Sequence, residues 1–176
     1  MPYPESFEVA GARLRRWDAE RDLEILEALS ADPDVTRYLT FLLEGGLEHR
    51  SSRYADHWDE HGFGLWAVCL GSGAPAGWVG AVHPRWHPEY AEQVELAWAL
   101  LRPARGRGLA TTAARTAAAA CFSGLGLPEL LAFVDPTNTR SRAVADRLGF
   151  RPTGSTTAAT TGQELDVLML APADLT

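Results

Sequence analysis

Residues 105–115 read RGRGLATTAAR. Two glycines flanked by arginines run straight into an alanine-rich segment with high helix propensity. The first turn of a helix carries N–H groups without intrahelical partners, and the macrodipole adds positive potential there. Gly106 and Gly108 remove the β-carbons that would keep a ligand's phosphates off those amides, while Arg102, Arg105 and Arg107 add charge at the same place. The stretch therefore reads as a cradle for a diphosphate. It is not a Walker loop, because no Gly-Lys-Ser/Thr follows, and the third glycine of the dinucleotide fingerprint is replaced by Thr111. On motif shape alone, a plain tight turn is an equal reading.

The charge distribution favours the anion reading. The chain of 176 residues carries a net charge of −7 and no lysine, yet residues 102–151 hold eight arginines against three acids, Glu129, Asp135 and Asp146. A basic segment inside an acidic protein points to a local anion site, not to a nucleic-acid surface, and the acidic remainder favours a cationic partner. A hydrophobic share of 46% supports a real core. No run approaches the roughly 18 apolar residues of a membrane span, and MPYPESFEVAG lacks a leader's basic and apolar regions, so a cytoplasmic protein is expected. Cys69 and Cys121 sit in apolar runs and read as buried free thiols. No repeat or linker divides the chain, so residues 1–176 are expected to form one domain.

The element order comes from periodicity and stop signals. Residues 93–101, QVELAWALL, predict a buried strand feeding the turn, followed by a helix from Leu109 that closes near Ser123 and Gly124. Leu130–Val134 predicts a strand, Asn138–Leu148 a helix stopped by Gly149, and GQELDVLML a last strand. Earlier, FEVAGARLRRW alternates as a first strand, and Asp18 is expected to cap a helix through about Leu29. ADPDVTRYL predicts a turn and a short helix, and Leu47–Glu60 a polar helix ending near His61-Gly62. Leu65–Leu70 and Ala76–Val82 form two strands joined by GSGAP, and HPRWHPEY is an irregular loop. Hairpins first and a β-α-β-α-β run later make the class α+β, or mixed α/β.

Several segments together resemble the GNAT family of N-acetyltransferases. Arg105-x-x-Gly108-x-Ala110 is similar to its Q/R-x-x-G-x-G/A pyrophosphate motif, and Asn138-x-x-Ser141 with Leu148-Gly149-Phe150 to its N-x-x-S…LGF segment. Arg13-Leu14-Arg15 with Asp18, then Asp32-Pro33, resembles the opening of the RimJ/RimL-like branch, which acetylates ribosomal proteins. Glu95-Leu96-Ala97-Trp98 resembles that branch's E-I-G-W strand, and Gly162 to Asp166 its closing strand. The resemblance implies a mostly antiparallel central sheet flanked by helices and splayed where strands 93–101 and 130–134 part. Acetyl-CoA would lie in the splay as cosubstrate. Its pantetheine would pair with main chain at Leu100 and Leu101, and its pyrophosphate with amides from Arg105 to Thr111, through Gly106, Arg107, Gly108, Leu109 and Ala110. Asn138 would bond the pantetheine or cap its helix. A homodimer is common in the branch.

Acetyl transfer to an amine needs a neutral amine, a stabilised oxyanion and help for the leaving thiolate. Glu95 is the candidate base, since an ionised carboxylate is costly in an otherwise apolar strand. It would act directly, through water, or by holding the ammonium end; a solvent-facing Glu95 is the plain alternative. The family's tyrosine acid falls at Ala145 here, which leaves Ser141 to hydrogen-bond the thiolate, and Thr112 replaces a usual glutamate. Trp86 and Tyr90 read as acceptor walls, or equally as cover for the interior. His83 and His87 lack a third ligand, so no metal is expected. The segment from Thr36 to Asp59 forms the other wall, where Glu44, Glu48, Asp56 and Asp59 either attract a cationic acceptor or make a solvated helix face. The implied activity is transfer to a primary amine, a protein N-terminus or a small molecule. The rival is a non-catalytic acyl-CoA-binding module.

Overall fold

The computed structural model describes residues 3–176; Met1 and Pro2, at the head of the segment read for a leader, lie outside them. Eight strands make one sheet: β1 Ser6–Val9, β2 Ala12–Arg16, β3 Leu65–Leu70, β4 Pro75–Val82, β5 Glu95–Leu100, β6 Leu130–Val134, β7 Arg151–Thr157 and β8 Glu164–Leu170. Their order is β1-β2-β3-β4-β5-β6-β8-β7. Every neighbouring pair is antiparallel except β5 and β6, which run parallel. That parallel ladder consists of the single pair Glu95 and Leu131, with the Leu131 N–H donating to the Val94 carbonyl at 2.9 Å. Beyond it β5 pairs with β4 alone, so the sheet splays in its middle and the β5 edge is left with unpaired main chain. This is the α+β architecture that the resemblance implied.

Among the described residues five α-helices flank the sheet: α1 Leu23–Ser30, α2 Pro33–Thr36, α3 Leu47–His61, α4 Leu109–Gly124 and α5 Thr139–Leu148. Alanine gives α4 both its propensity and its fit. Ala113, Ala114, Ala117 and Ala118 are fully buried, and such small side chains let the helix lie close on β4 and β5. Trp17, Trp66 and Leu14 fill the core near the first strands, where Tyr3 stacks on Trp66 with ring centroids 4.5 Å apart.

Four expectations need correction. The first strand is two, because Ala10 and Gly11 both take positive φ (51° and 75°) and turn the chain back as a two-residue hairpin. Alternation continues across the turn, so the pattern hides it. Asp18 does not cap α1: its carboxylate accepts from the Arg21 N–H at 2.9 Å, closing a turn ahead of the helix, which starts after Asp22. β7 escaped detection because RPTGSTT is polar, almost wholly exposed and broken by a register shift, features suited to an edge strand. Cys69 is half-buried, not buried, and lies 3.8 Å from an Arg15 guanidinium nitrogen. Cys121 is buried, and desolvation pushes its thiol up to about 12, which makes it inert.

Candidate active site

The splay opens into a cleft of about 1280 Å³. One wall comes from α3 and residues 34–46, the other from β6 and the N-terminal ends of α4 and α5, with β5 along the floor. Its size suits an extended ligand better than a compact metabolite.

The Arg-Gly turn sits at one end. Gly108 is the N-cap of α4 with φ 72°, and no side chain caps the helix there. Gly106 also takes a left-handed φ of 73°. A β-carbon at either would meet no protein atom, so conformation, not crowding within the chain, is what requires glycine. The leading amides of α4 are thus uncapped and open to the cleft, where Leu109, Ala110 and Thr111 line the wall. Thr112 turns its hydroxyl back onto the Gly108 carbonyl at 3.1 Å.

The arginines are placed differently from the expectation. Arg105 donates through Nε to the Leu100 carbonyl at 2.7 Å and pairs with Asp32 (3.2 Å) and Asp34 (3.5 Å), so it braces the turn against α2. Arg102 is exposed and 3.8 Å from Asp34. Arg107 does not line the cleft. Much of the segregated positive charge is neutralised the same way, with Arg142 on Asp146 and Asp166 and Arg151 on Asp174. Leu100 lines the cleft, but Leu101 does not; its N–H completes the ladder with the Ala76 carbonyl at 2.8 Å.

Glu95 stands on β5 where the parallel ladder ends, lining the cleft. Burial pushes its carboxyl up to about 7, partly offset by the Trp86 indole N–H, which donates to Oε2 at 3.3 Å. A carboxyl poised there changes protonation near neutral pH, as a general base requires. Trp86 is held edge-on to Phe133 with centroids 4.9 Å apart. Tyr90 packs on Phe133 (5.3 Å) and His87 (4.8 Å) and does not line the cleft, so of the two aromatic walls expected, the fold brings one to it. Across the cleft, Asn138 caps α5, its Oδ1 accepting from the Ser141 N–H at 3.1 Å, and both residues line the wall. Ala145 is fully buried beneath them.

His83, read in the sequence as lacking a third ligand, meets two other histidines at the cleft wall. His57, His61 and His83 bring ring nitrogens within 4.8 Å of one another. His57 is nevertheless saturated: Nδ1 donates to the Phe63 carbonyl (2.8 Å) while Nε2 accepts from the His83 N–H (3.0 Å). Burial lowers its pKa to about 4, which keeps the ring neutral. A cation there would have to break one of those bonds. His87 is elsewhere, 2.6 Å from the Thr156 hydroxyl.

Sequence reasoning also missed three cleft residues. Gln163 ties the β7–β8 turn to the opposite wall, bonding the Tyr38 carbonyl (2.9 Å), Asp135 (2.9 Å) and the Thr40 hydroxyl (3.0 Å). Arg50 and Tyr54, one turn apart on α3, face the cleft that Glu95 lines. Their i, i+4 spacing was visible in the sequence; that this face looks onto β5 was not. Of the acids on that wall, Glu44 and Asp56 reach the cleft, whereas Asp59 pairs with Arg16.

The model of the Acetyltransferase (GNAT) domain matches residues 12–151. The chain belongs to the GNAT acetyltransferase family. Solved structures agree on the fold along nearly the whole chain. An acetyltransferase from Agrobacterium tumefaciens superposes with a TM-score of 0.75 at 25% identity, covering 97% of this chain and 95% of that one. The ribosomal-protein-S5-alanine acetyltransferase from Vibrio fischeri gives 0.74 at 15% identity, over 97% and 98%. Spermidine N-acetyltransferase from Vibrio cholerae, solved with CoA and spermine, gives 0.73 at 15%, over 94% and 98%. This protein is therefore an acetyltransferase, and GNAT acetyltransferases use acetyl-CoA. Among the described residues, no helix is long and apolar enough to cross a membrane.

Proposed function

We propose that this GNAT enzyme transfers the acetyl group of acetyl-CoA directly to a primary amine, with Glu95 as base. The observation that carries the reading is Glu95 itself, a desolvated carboxyl in the sheet's splay, within the same cleft as an uncapped helix N-terminus. Glu95 takes the proton of the acceptor ammonium, directly or through water. The amine nitrogen then bonds to the acetyl carbon as the carbon–sulfur bond breaks, Ser141 donates a hydrogen bond to the departing thiolate, and the nitrogen's surplus proton passes to that sulfur to leave the amide and free thiol. The amides from Gly106 to Thr111 hold the pyrophosphate, while Arg140 and Arg147, which line the cleft from α5, add positive charge. Because Leu101 is already bonded to β4, the Leu100 end of β5 is where pantetheine would pair.

We place the chain in the RimJ/RimL-like branch on the segments around Arg13, Asp32 and Glu95. The acceptors named for the two Vibrio enzymes, a ribosomal-protein alanine and spermidine, span the candidates: a protein N-terminus or a small amine. A thiol-release assay with acetyl-CoA against peptides, polyamines, aminoglycosides and amino acids tests the reading. Turnover on one class establishes it. Acetyl-CoA binding with no turnover on any would point instead to a non-catalytic acyl-CoA-binding module.

The turn has its own test. Gly108→Trp forces a left-handed backbone on a bulky residue, at about 1–2 kcal/mol, and lays an indole across the amides. Acetyl-CoA affinity is expected to fall by about tenfold or more in calorimetry. Unchanged affinity would remove this turn from the cosubstrate site.

A further inference from the structure

Arg50 lies on the acceptor side of the cleft and is half-buried. Its guanidinium sits over the Phe41 ring, 4.6 Å from the centroid, and one terminal nitrogen donates to the Phe41 carbonyl at 3.3 Å. Nε is buried and has no acceptor. Among the described residues no carboxylate pairs with Arg50, whereas Arg85 holds Glu60 and Arg105 holds Asp32 and Asp34. Arg53, Arg140 and Arg147 also line the cleft without a carboxylate, but they are exposed to solvent and Arg50 is not. A partly desolvated guanidinium with an orphaned N–H is an unfavourable arrangement unless an anion completes it. Of the other acids that line this cleft without an ion pair, Glu44 and Asp56 are exposed and solvated, while Asp135 is already bonded by Thr137 and Gln163, so none of them makes a matching demand for a cation.

Tyr54 connects this group to the chemistry. It follows Arg50 by one helical turn, is half-buried, and lines the cleft together with Arg50 and Glu95. Arg50 and Glu95 therefore face the same cleft, with Tyr54 on its wall as well. Trp86, bonded to Glu95, lines the same cleft.

We propose that Arg50 is the anion-binding residue of the acceptor subsite, and that the preferred acceptor carries a carboxylate within a few bonds of its amine. The inference rests on Glu95 being where the acceptor amine binds. A planar guanidinium matches a carboxylate through paired hydrogen bonds, which an ammonium-rich polyamine cannot supply. The overall acidity of the chain outside residues 102–151 suggested a cationic acceptor; the local geometry reverses that preference.

Matched acceptors test it: phenylalanine against phenethylamine, and a tripeptide beginning with glutamate against one beginning with glutamine. The first pair probes a free amino acid, the second an acidic side chain on a peptide. The wild-type enzyme is expected to favour the carboxylated member of at least one pair by about 10- to 100-fold in kcat/KM. Arg50→Gln should collapse that ratio towards one, chiefly by raising KM for the carboxylated member, and Arg50→Lys should keep part of it. Acetyl-CoA binding by calorimetry reports whether each variant folds. Should Arg50→Gln fail to fold, the wild-type ratios and Arg50→Lys decide. Equal turnover within both pairs, or a preference for spermidine, would overturn the inference while leaving acetyl transfer to amines intact. No turnover on any amine would overturn the functional reading, and this inference with it.

Discussion

Glu95→Gln is expected to lower kcat/KM by about 10²- to 10⁴-fold, the usual contribution of general base catalysis, with the fold intact. The pH profile carries the sharper signature. With its pKa raised to about 7 by burial, Glu95 is protonated below neutrality and cannot accept the amine's proton. Wild-type kcat/KM should therefore rise about tenfold per pH unit up to about pH 7 and then level. The glutamine variant should lack that limb. Stability should move the other way. The carboxyl ionises near its ordinary 4.5 in the unfolded chain and near 7 in the folded one, so folding loses stability as pH climbs between those values. A neutral amide at this position would carry no such cost, and Glu95→Gln should melt higher than wild type at about pH 8 but not below pH 4.5. A variant with normal kcat/KM across the range would show that Glu95 is not the base.

Asp22→Ala should cost about 3–5 kcal/mol in denaturant unfolding, well away from the cleft. Asp22 is 1% exposed, and both its oxygens accept from the Arg15 guanidinium, at 2.6 and 2.7 Å. It also accepts the Asp18 N–H at 2.8 Å, joining β2 to the start of α1. Truncation leaves Arg15 in a partly buried place with only the Cys69 sulfur for company. That penalty is a large share of a typical domain's stability. The double variant Arg15→Met, Asp22→Leu, which removes both charges, should recover most of it. A loss below about 1 kcal/mol in Asp22→Ala would mean that the pair is solvated and unimportant.

How the sequence was legible differs from element to element. The helix from Leu109 and the Gly149 stop were readable because glycine conformation and alanine propensity are local. The uncapped helix end at Gly108 was readable for the same reason. The hairpin at Ala10-Gly11 and the edge strand β7 were not. One hides inside unbroken alternation, and the other has too few apolar residues to show a period. The sequence set Arg102, Arg105 and Arg107 around one turn, but charge counts say nothing about partners. Asp32 and Asp34, far upstream, claim Arg105 once the chain folds.

The sequence alone determined the family-like order of elements, the Gly-Arg turn ahead of a helix and the placing of one carboxylate in an apolar strand. These rest on backbone preference and on the cost of burying charge, which act over a few residues. Tertiary structure alone decided that β5 and β6 separate after one pair, that Trp86 reaches Glu95 while Tyr90 turns away, and that Arg50 is left without a counterion. Each depends on which distant groups arrive to compete for a hydrogen bond or an ion pair, and that competition exists once the sheet has closed around them.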